Sequence, residues 1–116
     1  MSRYYLEIDG KVFPTKIAIT PEEQIKGLMY EEWPPPNMAF IYSHAQVNRF
    51  WMKNCPSPLD IIFCFDSKIV SIKKGEPYST SIIGDYVFTD LVVEMPYGTC
   101  DKFNITTKSA IKLVKF

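Results

Sequence analysis

Apolar and polar positions follow short, strand-like periods along most of the chain. Tyr4 to Ile8 and Val12 to Ile19 are β-prone runs on either side of Asp9-Gly10. Asp-Gly between two such runs predicts a hairpin, because a type I′ turn needs positive φ at both central residues. At Thr20-Pro21-Glu22-Glu23 the pattern changes. Threonine can cap, proline suits the first helical position, and Glu23 completes a capping box, so a short helix is predicted to end near Tyr30 with Ile25, Leu28 and Met29 on one face. Trp33-Pro34-Pro35-Pro36 can be neither helix nor central strand and is predicted as a stiff extended connector.

Further strands are predicted at Met38 to Tyr42 and Arg49 to Lys53, joined by a polar connection over Ser43 to Asn48 that carries His44. Leu59 to Phe65 is almost wholly apolar, the pattern of a strand buried on both faces. Asp66-Ser67 turns it into Lys68 to Lys73, Gly75 to Gly84 is rich in turn formers, Tyr86 to Met95 is a long strand, and Ala110 to Phe116 closes the chain. About seven short strands with one short helix near the N-terminus predict a mainly β fold, a small barrel or folded-over sandwich.

The chain has 116 residues, 47% hydrophobic and 15% aromatic, which suits one domain over residues 1–116 with a core of its own. Thirteen basic residues balance thirteen acidic ones, so the excess that draws proteins to nucleic acid is missing. The local cluster of Lys68, Lys73 and Lys74 reads as a solvated strand end. The start, Met-Ser-Arg-Tyr-Tyr-Leu-Glu-Ile-Asp-Gly, reads as the first strand and not as a signal peptide. No run approaches the roughly 18 apolar residues of a membrane helix, so no membrane partner is expected. Cys55, Cys64 and Cys100 are odd in number and widely spaced, which fits a reducing cytoplasm better than a disulfide framework. With one histidine and no Cys-x-x-Cys, neither a metal site nor a cofactor is expected.

The chemistry concentrates between Phe50 and Asp60 and at Glu94. On a strand, Asp60 shares a face with Ile62 and Cys64, and Glu94 shares one with Phe88 and Val92. Burying an unpaired charge is costly, so each acid is expected to have a partner or to lie at a cleft rim. One arrangement is structural: Asp60 fixes the Asn54 to Pro58 turn by accepting its amides, with Lys53 as ion partner. The other gathers Lys53, Asn54, Asp60 and Glu94 around a pocket floored by Trp51 and Met52, since aromatic surface beside convergent polar groups is how small-molecule sites are built. Trp51 serves equally as core or as a stacking platform. Cys55 with His44 would make a thiol nucleophile and base, but no orienting third group is evident.

Several blocks carry a resemblance. They are Ile17-Ala18-Ile19-Thr20-Pro21-Glu22-Glu23, Gly27-Leu28-Met29-Tyr30, Met38-Ala39-Phe40-Ile41-Tyr42, Phe50-Trp51-Met52-Lys53-Asn54, Pro58-Leu59-Asp60-Ile61-Ile62-Phe63, Ile69-Val70 and Val92-Val93-Glu94-Met95-Pro96-Tyr97-Gly98. In these the chain resembles the uncharacterised, mainly bacterial family catalogued as domain of unknown function 192, over roughly residues 12 to 105. The resemblance implies a small β-rich domain, with no assigned reaction and no catalytic residue to carry over. Glu31, Asn37, Cys55 and Lys108-Ser109 depart from the family pattern.

Three functions follow as expectations. The first is a binding module without catalysis for a small polar ligand or glycan, at Trp51, Lys53, Asn54, Asp60 and Glu94. The second is an acid–base hydrolase using Asp60 and Glu94, and the third a protein-interaction domain using an edge strand or the Trp33 to Pro36 segment.

Overall fold

The computed structural model describes residues 3–116. Met1 and Ser2, the lead-in to the predicted first strand, lie outside the described residues. The elements run β1 (Tyr4–Ile8), β2 (Lys11–Ala18), α1 (Pro21–Lys26), β3 (Met38–Val47), β4 (Leu59–Phe65), β5 (Lys68–Gly75), β6 (Phe88–Pro96), α2 (Thr99–Phe103) and β7 (Ile111–Lys115). The seven strands form one sheet in the order β5-β4-β6-β3-β2-β1-β7. It curls into a half-barrel, and its two edges touch at a single bridge between Lys68 and Ala110. This matches the mainly β expectation, on the barrel side of the alternatives.

Local chemistry fixes the hairpins. Asp9 and Gly10 have φ of 51° and 80°, and Asp66 and Ser67 have 52° and 61°. Such turns match the twist of the strands they join. Thr20 Oγ1 accepts from Glu23 N–H while Glu23 accepts from the Thr20 N–H, the predicted capping box. The helix stops earlier than predicted, because Gly27 takes φ 46° and ψ −125° and its N–H already bonds the Glu23 carbonyl. No residue of α1 is buried, and Ile25 is 74% exposed, which corrects the expected shared face with Leu28 and Met29. Gln24 holds the helix instead: its Nε2 donates to the carbonyls of Ala18 and Ile41. The connection through α1 allows β2 and β3 to run parallel.

The sheet separates two cores. Inside the curl lie Leu6, Ile8, Ala39, Ile62, Cys64, Val93, Met95 and Ile111. On the outer face of β3, β4 and β6 lie Ala18, Leu28, Phe40, Met52, Cys55, Ile61, Phe63 and Val92. Residues Leu59 to Cys64 are therefore buried on both sides, as their apolar run predicted. The outer cover comes from chain segments rather than from the helix. Residues 49–58 form a strap, not the predicted strand: Phe50 and Ile83 exchange backbone bonds of 2.8 Å, and Met52 N–H donates to Ser79. Met52 packs so closely on Gly75 that a Cβ there would sit 2.5 Å from its sulfur.

Two further predictions change. The polar Ser43 to Asn48 connection is mostly strand, because β3 continues to Val47 past an irregularity between Ile41 and Gln46. The chain after the Pro96-Tyr97-Gly98 turn carries α2, which no apolar period announced.

Candidate functional site

The central pair of strands decides where the two acids go. In the β4–β6 register Asp60 lies opposite Met95, while Ile61 lies opposite Glu94. Directly opposed residues share a face and neighbours along a strand do not. Asp60 therefore belongs to the face of Ile62, Val93 and Met95, and Glu94 to the face of Ile61, Phe63 and Val92. The two carboxylates are close along the sheet but on opposite sides of it, so no pocket holds both.

Asp60 has backbone donors. Its Oδ2 accepts the N–H of Gly98 at 3.1 Å and of Cys100 at 2.9 Å. It thus ties down the turn into α2 and compensates amides that burial would leave without water. The structural role expected of Asp60 holds in kind, but its donors are Gly98 and Cys100 rather than the Asn54 to Pro58 turn, and Lys53 is not its ion partner.

Glu94 is just as buried and differently placed. It is 4% exposed, and its carboxyl has no hydrogen bond or ion pair among the described residues. Desolvation pushes its pKa up to about 8. It lines a hollow of ≈ 610 Å³ between the C-terminal end of α1 and the strap. Tyr42, Phe50 and Trp51 add aromatic surface there, and Gln46, Asn48 and Arg49 add polar groups. Gly27 keeps the wall thin: a Cβ on it would lie 3.1 Å from Phe40 Cζ and 3.8 Å from Glu94 Oε1.

The other five polar or charged residues of the buried set have partners; outside that set, among the described residues, Ser71 Oγ on β5 is also buried without one. Asn48 Nδ2 donates to the Thr89 carbonyl and to Thr89 Oγ1, pinning the end of β3 to β6, and Gln46 Nε2 donates to Asn48 Oδ1. Ser57 Oγ donates to the Glu31 carbonyl, and Ser109 Oγ accepts from Thr106 N–H. Glu94 is the exception among the six polar or charged residues of the buried set. Burial and the Glu94 charge also push the Tyr42 hydroxyl well above its ordinary range.

The other predicted site residues divide. Trp51 is 43% exposed on the rim of the hollow. Lys53 sits outside, its Nζ 5.2 Å from the Trp51 ring centre. Asn54 is structural: it takes φ 61°, a conformation asparagine tolerates, and its carbonyl accepts from Tyr30 N–H at 2.7 Å. Met52 is sealed in the outer core rather than exposed as a floor. His44 is exposed on β3 while Cys55 is buried with its thiol pushed up to about 11 by burial and by Glu94, so they do not form an activated pair.

Sequence reasoning missed Tyr42, Gln46, Asn48 and Arg49 as lining residues. The alternation of β3 carried part of the signal, since Phe40 and Tyr42 share a face, but the irregularity that also brings Gln46 to the hollow has no signature of its own. Two of the clustered lysines are paired, Lys73 with Asp85 at 3.3 Å and Lys74 with Glu76 at 3.0 Å. A second hollow, of ≈ 1010 Å³, runs past Tyr4, Tyr5, Pro35, Pro36 and Phe116. It is larger but holds no unpartnered buried polar group. Beside it, Pro35 is buried while Trp33 is 56% exposed. Among the described residues no group of three His, Cys, Asp or Glu is placed to hold a metal ion, and no helix is long and apolar enough to cross a membrane.

Comparison with known proteins agrees with this architecture. The model of the DUF192 family, described as "Uncharacterized ACR", matches residues 4–113. Nothing among curated proteins matches the chain. A crystal structure from Sinorhizobium meliloti, described as a "putative transcription regulator", superposes with a TM-score of 0.84 at 25% identity, covering 96% of this chain and 92% of its own. A protein of unknown function from Novosphingobium aromaticivorans superposes with a TM-score of 0.84 at 28% identity, covering 93% of this chain and 83% of its own.

Proposed function

The chain belongs to the DUF192 family, and we propose that it is a binding module without catalysis, whose ligand is a small polar molecule held in the hollow at Glu94 and Trp51. The supporting observation is the unpartnered Glu94 carboxyl. A carboxyl that served only to build the fold would be expected to have donors, as Asp60 has. We read the one left without them, at the wall of a hollow, as the group that an incoming ligand pairs with. The volume lies within the range of about 300 to 1,000 Å³ typical of small-molecule sites. Lys53 and Asn54 drop out of direct contact in this reading, and Asp60 supports the fold from the far side.

A two-acid hydrolase is not supported, because carboxylates on opposite faces of one sheet cannot flank one bond. The description of the Sinorhizobium meliloti protein raises nucleic acid as a partner. Balanced charge and two paired lysines in the basic cluster favour a small ligand instead. The three free cysteines support a cytoplasmic location. The test is a fragment and metabolite screen by ¹⁵N-detected NMR. Ligands should shift the Trp51 indole and the Gly27 amide together. A screen of several hundred sugars, nucleosides, amines and acids that moves neither would end the proposal.

A further inference from the structure

We infer that the ligand is a small organic cation, an amine or guanidine whose charged head pairs with the Glu94 carboxylate while its body lies against Tyr42, Phe50 and Trp51. This deepens the binding-module reading and rests on it.

Four observations carry it. The carboxyl is buried at the hollow without a donor, and such a group offers only acceptor sites once ionised. Among the described residues no basic side chain forms an ion pair with it. Two basic residues line the hollow, Lys26 and Arg49; Lys26 forms no ion pair with Glu94, and Arg49 is committed elsewhere: its Nη1 donates to Tyr86 Oη at 2.8 Å, and its guanidinium lies 4.4 Å from the Tyr86 ring centre. Aromatic faces beside a carboxylate form the surroundings that bind ammonium groups, through the negative face of the ring.

The groups facing Glu94 or sharing its hollow set the pH behaviour. They are Lys26 from α1, Tyr42 from β3, and Arg49 and Cys55 from the strap. Burial holds Tyr42 and Cys55 protonated through the neutral range, so Glu94 is the acid among them that titrates there. Binding then couples to one proton. The neutral carboxyl releases H⁺ to solvent, its carboxylate pairs with the ligand's N–H⁺, and no other bond changes. Amine affinity should therefore rise about tenfold per pH unit below the carboxyl's pKa and level off above it.

The experiment uses the full chain and Glu94→Gln, with amines or guanidines matched to neutral isosteres: phenethylamine with 2-phenylethanol, cyclohexylmethylamine with cyclohexylmethanol, and agmatine with a neutral amide analogue. Binding is followed at the Trp51 indole and the Gly27 amide from pH 6 to 8. The inference expects the amine or guanidine of at least one pair to bind tenfold or more tightly than its neutral partner. It also expects affinity to climb with pH and the preference to vanish in Glu94→Gln. If neutral members bind the hollow as well as or better than their charged partners, the cation assignment falls and the binding module stands. If no member of any pair moves either probe, the cation assignment falls, and the wider screen above decides the module on its own. If cations shift only resonances remote from the hollow, the site is wrong.

Discussion

Replacing Glu94 with glutamine removes a charge that the fold disfavours, and the consequence for stability can be worked out from its burial. The carboxyl is 4% exposed and has no partner, and desolvation raises its pKa from 4.5 to about 8. The folded state therefore holds a proton that the unfolded chain loses above about pH 4.5. Between those values unfolding releases that proton, so stability contributed by the neutral carboxyl is complete below pH 4.5 and declines as pH rises through about 8. The limiting slope is about 1.4 kcal/mol per pH unit, and the full loss is on the order of 5 kcal/mol, less whatever water entering the hollow returns. Glu94→Gln keeps the shape and loses the titration. Urea denaturation of both proteins at pH 5, 6, 7 and 8 checks this, because titrations elsewhere cancel in the difference. Glutamine should become progressively more stabilising relative to glutamate, by ~2 to 4 kcal/mol more at pH 8 than at pH 5. A difference that stays constant across that range would refute the reasoning, since it would mean that Glu94 is solvated or paired in the folded protein.

Other substitutions probe the surroundings. Asp60→Ala strips acceptors from two buried amides and should cost ~2 to 4 kcal/mol in urea denaturation, with faster hydrogen exchange at Gly98 and Cys100 and unchanged ligand binding at the Glu94 hollow. Gly27→Ala forces a side chain into φ 46° and ψ −125° against the Phe40 ring, and should lower stability by ~1 to 3 kcal/mol by the same measurement. Gly75→Ala drives a methyl into Met52, whose Sδ, Cε and Cγ would all lie within 3.2 Å of it, and should cost ~1 to 3 kcal/mol by thermal denaturation. The three thiols, pushed up to about 11 at Cys55 and about 12 at Cys64 and Cys100, should react with a chromogenic disulfide at neutral pH only as fast as the protein opens, and at once in denaturant.

The parts of the fold legible in the sequence are those whose cause is local. Asp9-Gly10 and Asp66-Ser67 announce their turns because each needs positive φ within two residues. The capping box needs only Thr20 and Glu23. The run from Leu59 to Cys64 declares burial on both faces because it has no polar alternation to spend on solvent. The strap failed as a predicted strand because Phe50 to Lys53 has β-prone residues but no neighbour to form a full ladder with; tertiary packing provides a single bridge to Ile83 and one bond from Met52 N–H to Ser79. The end of β3 failed in the opposite sense. Ser43 to Val47 is polar enough for a loop, yet pairing with β6 resumes at Gln46 and keeps it extended.

The site turns on the same limit in its sharpest form. Strand parity assigns each acid to a face of its own strand, and both assignments are right. What parity cannot supply is the register between β4 and β6, and a shift of one residue moves a whole strand's side chains to the other face. With Asp60 opposite Met95, one acid enters the core inside the curl and the other the hollow outside it. The sheet thus contains its own control: two carboxylates, similarly buried, one receiving two amides and one receiving nothing. Neutralising them should have opposite effects above pH 7. Removing the Asp60 acceptor destabilises, because donors are orphaned, while Glu94→Gln stabilises, because no donor was there. If both substitutions weakened the protein alike, Glu94 would have to be read as scaffolding of the same kind as Asp60, and the hollow would lose the one feature that distinguishes it from an ordinary surface depression.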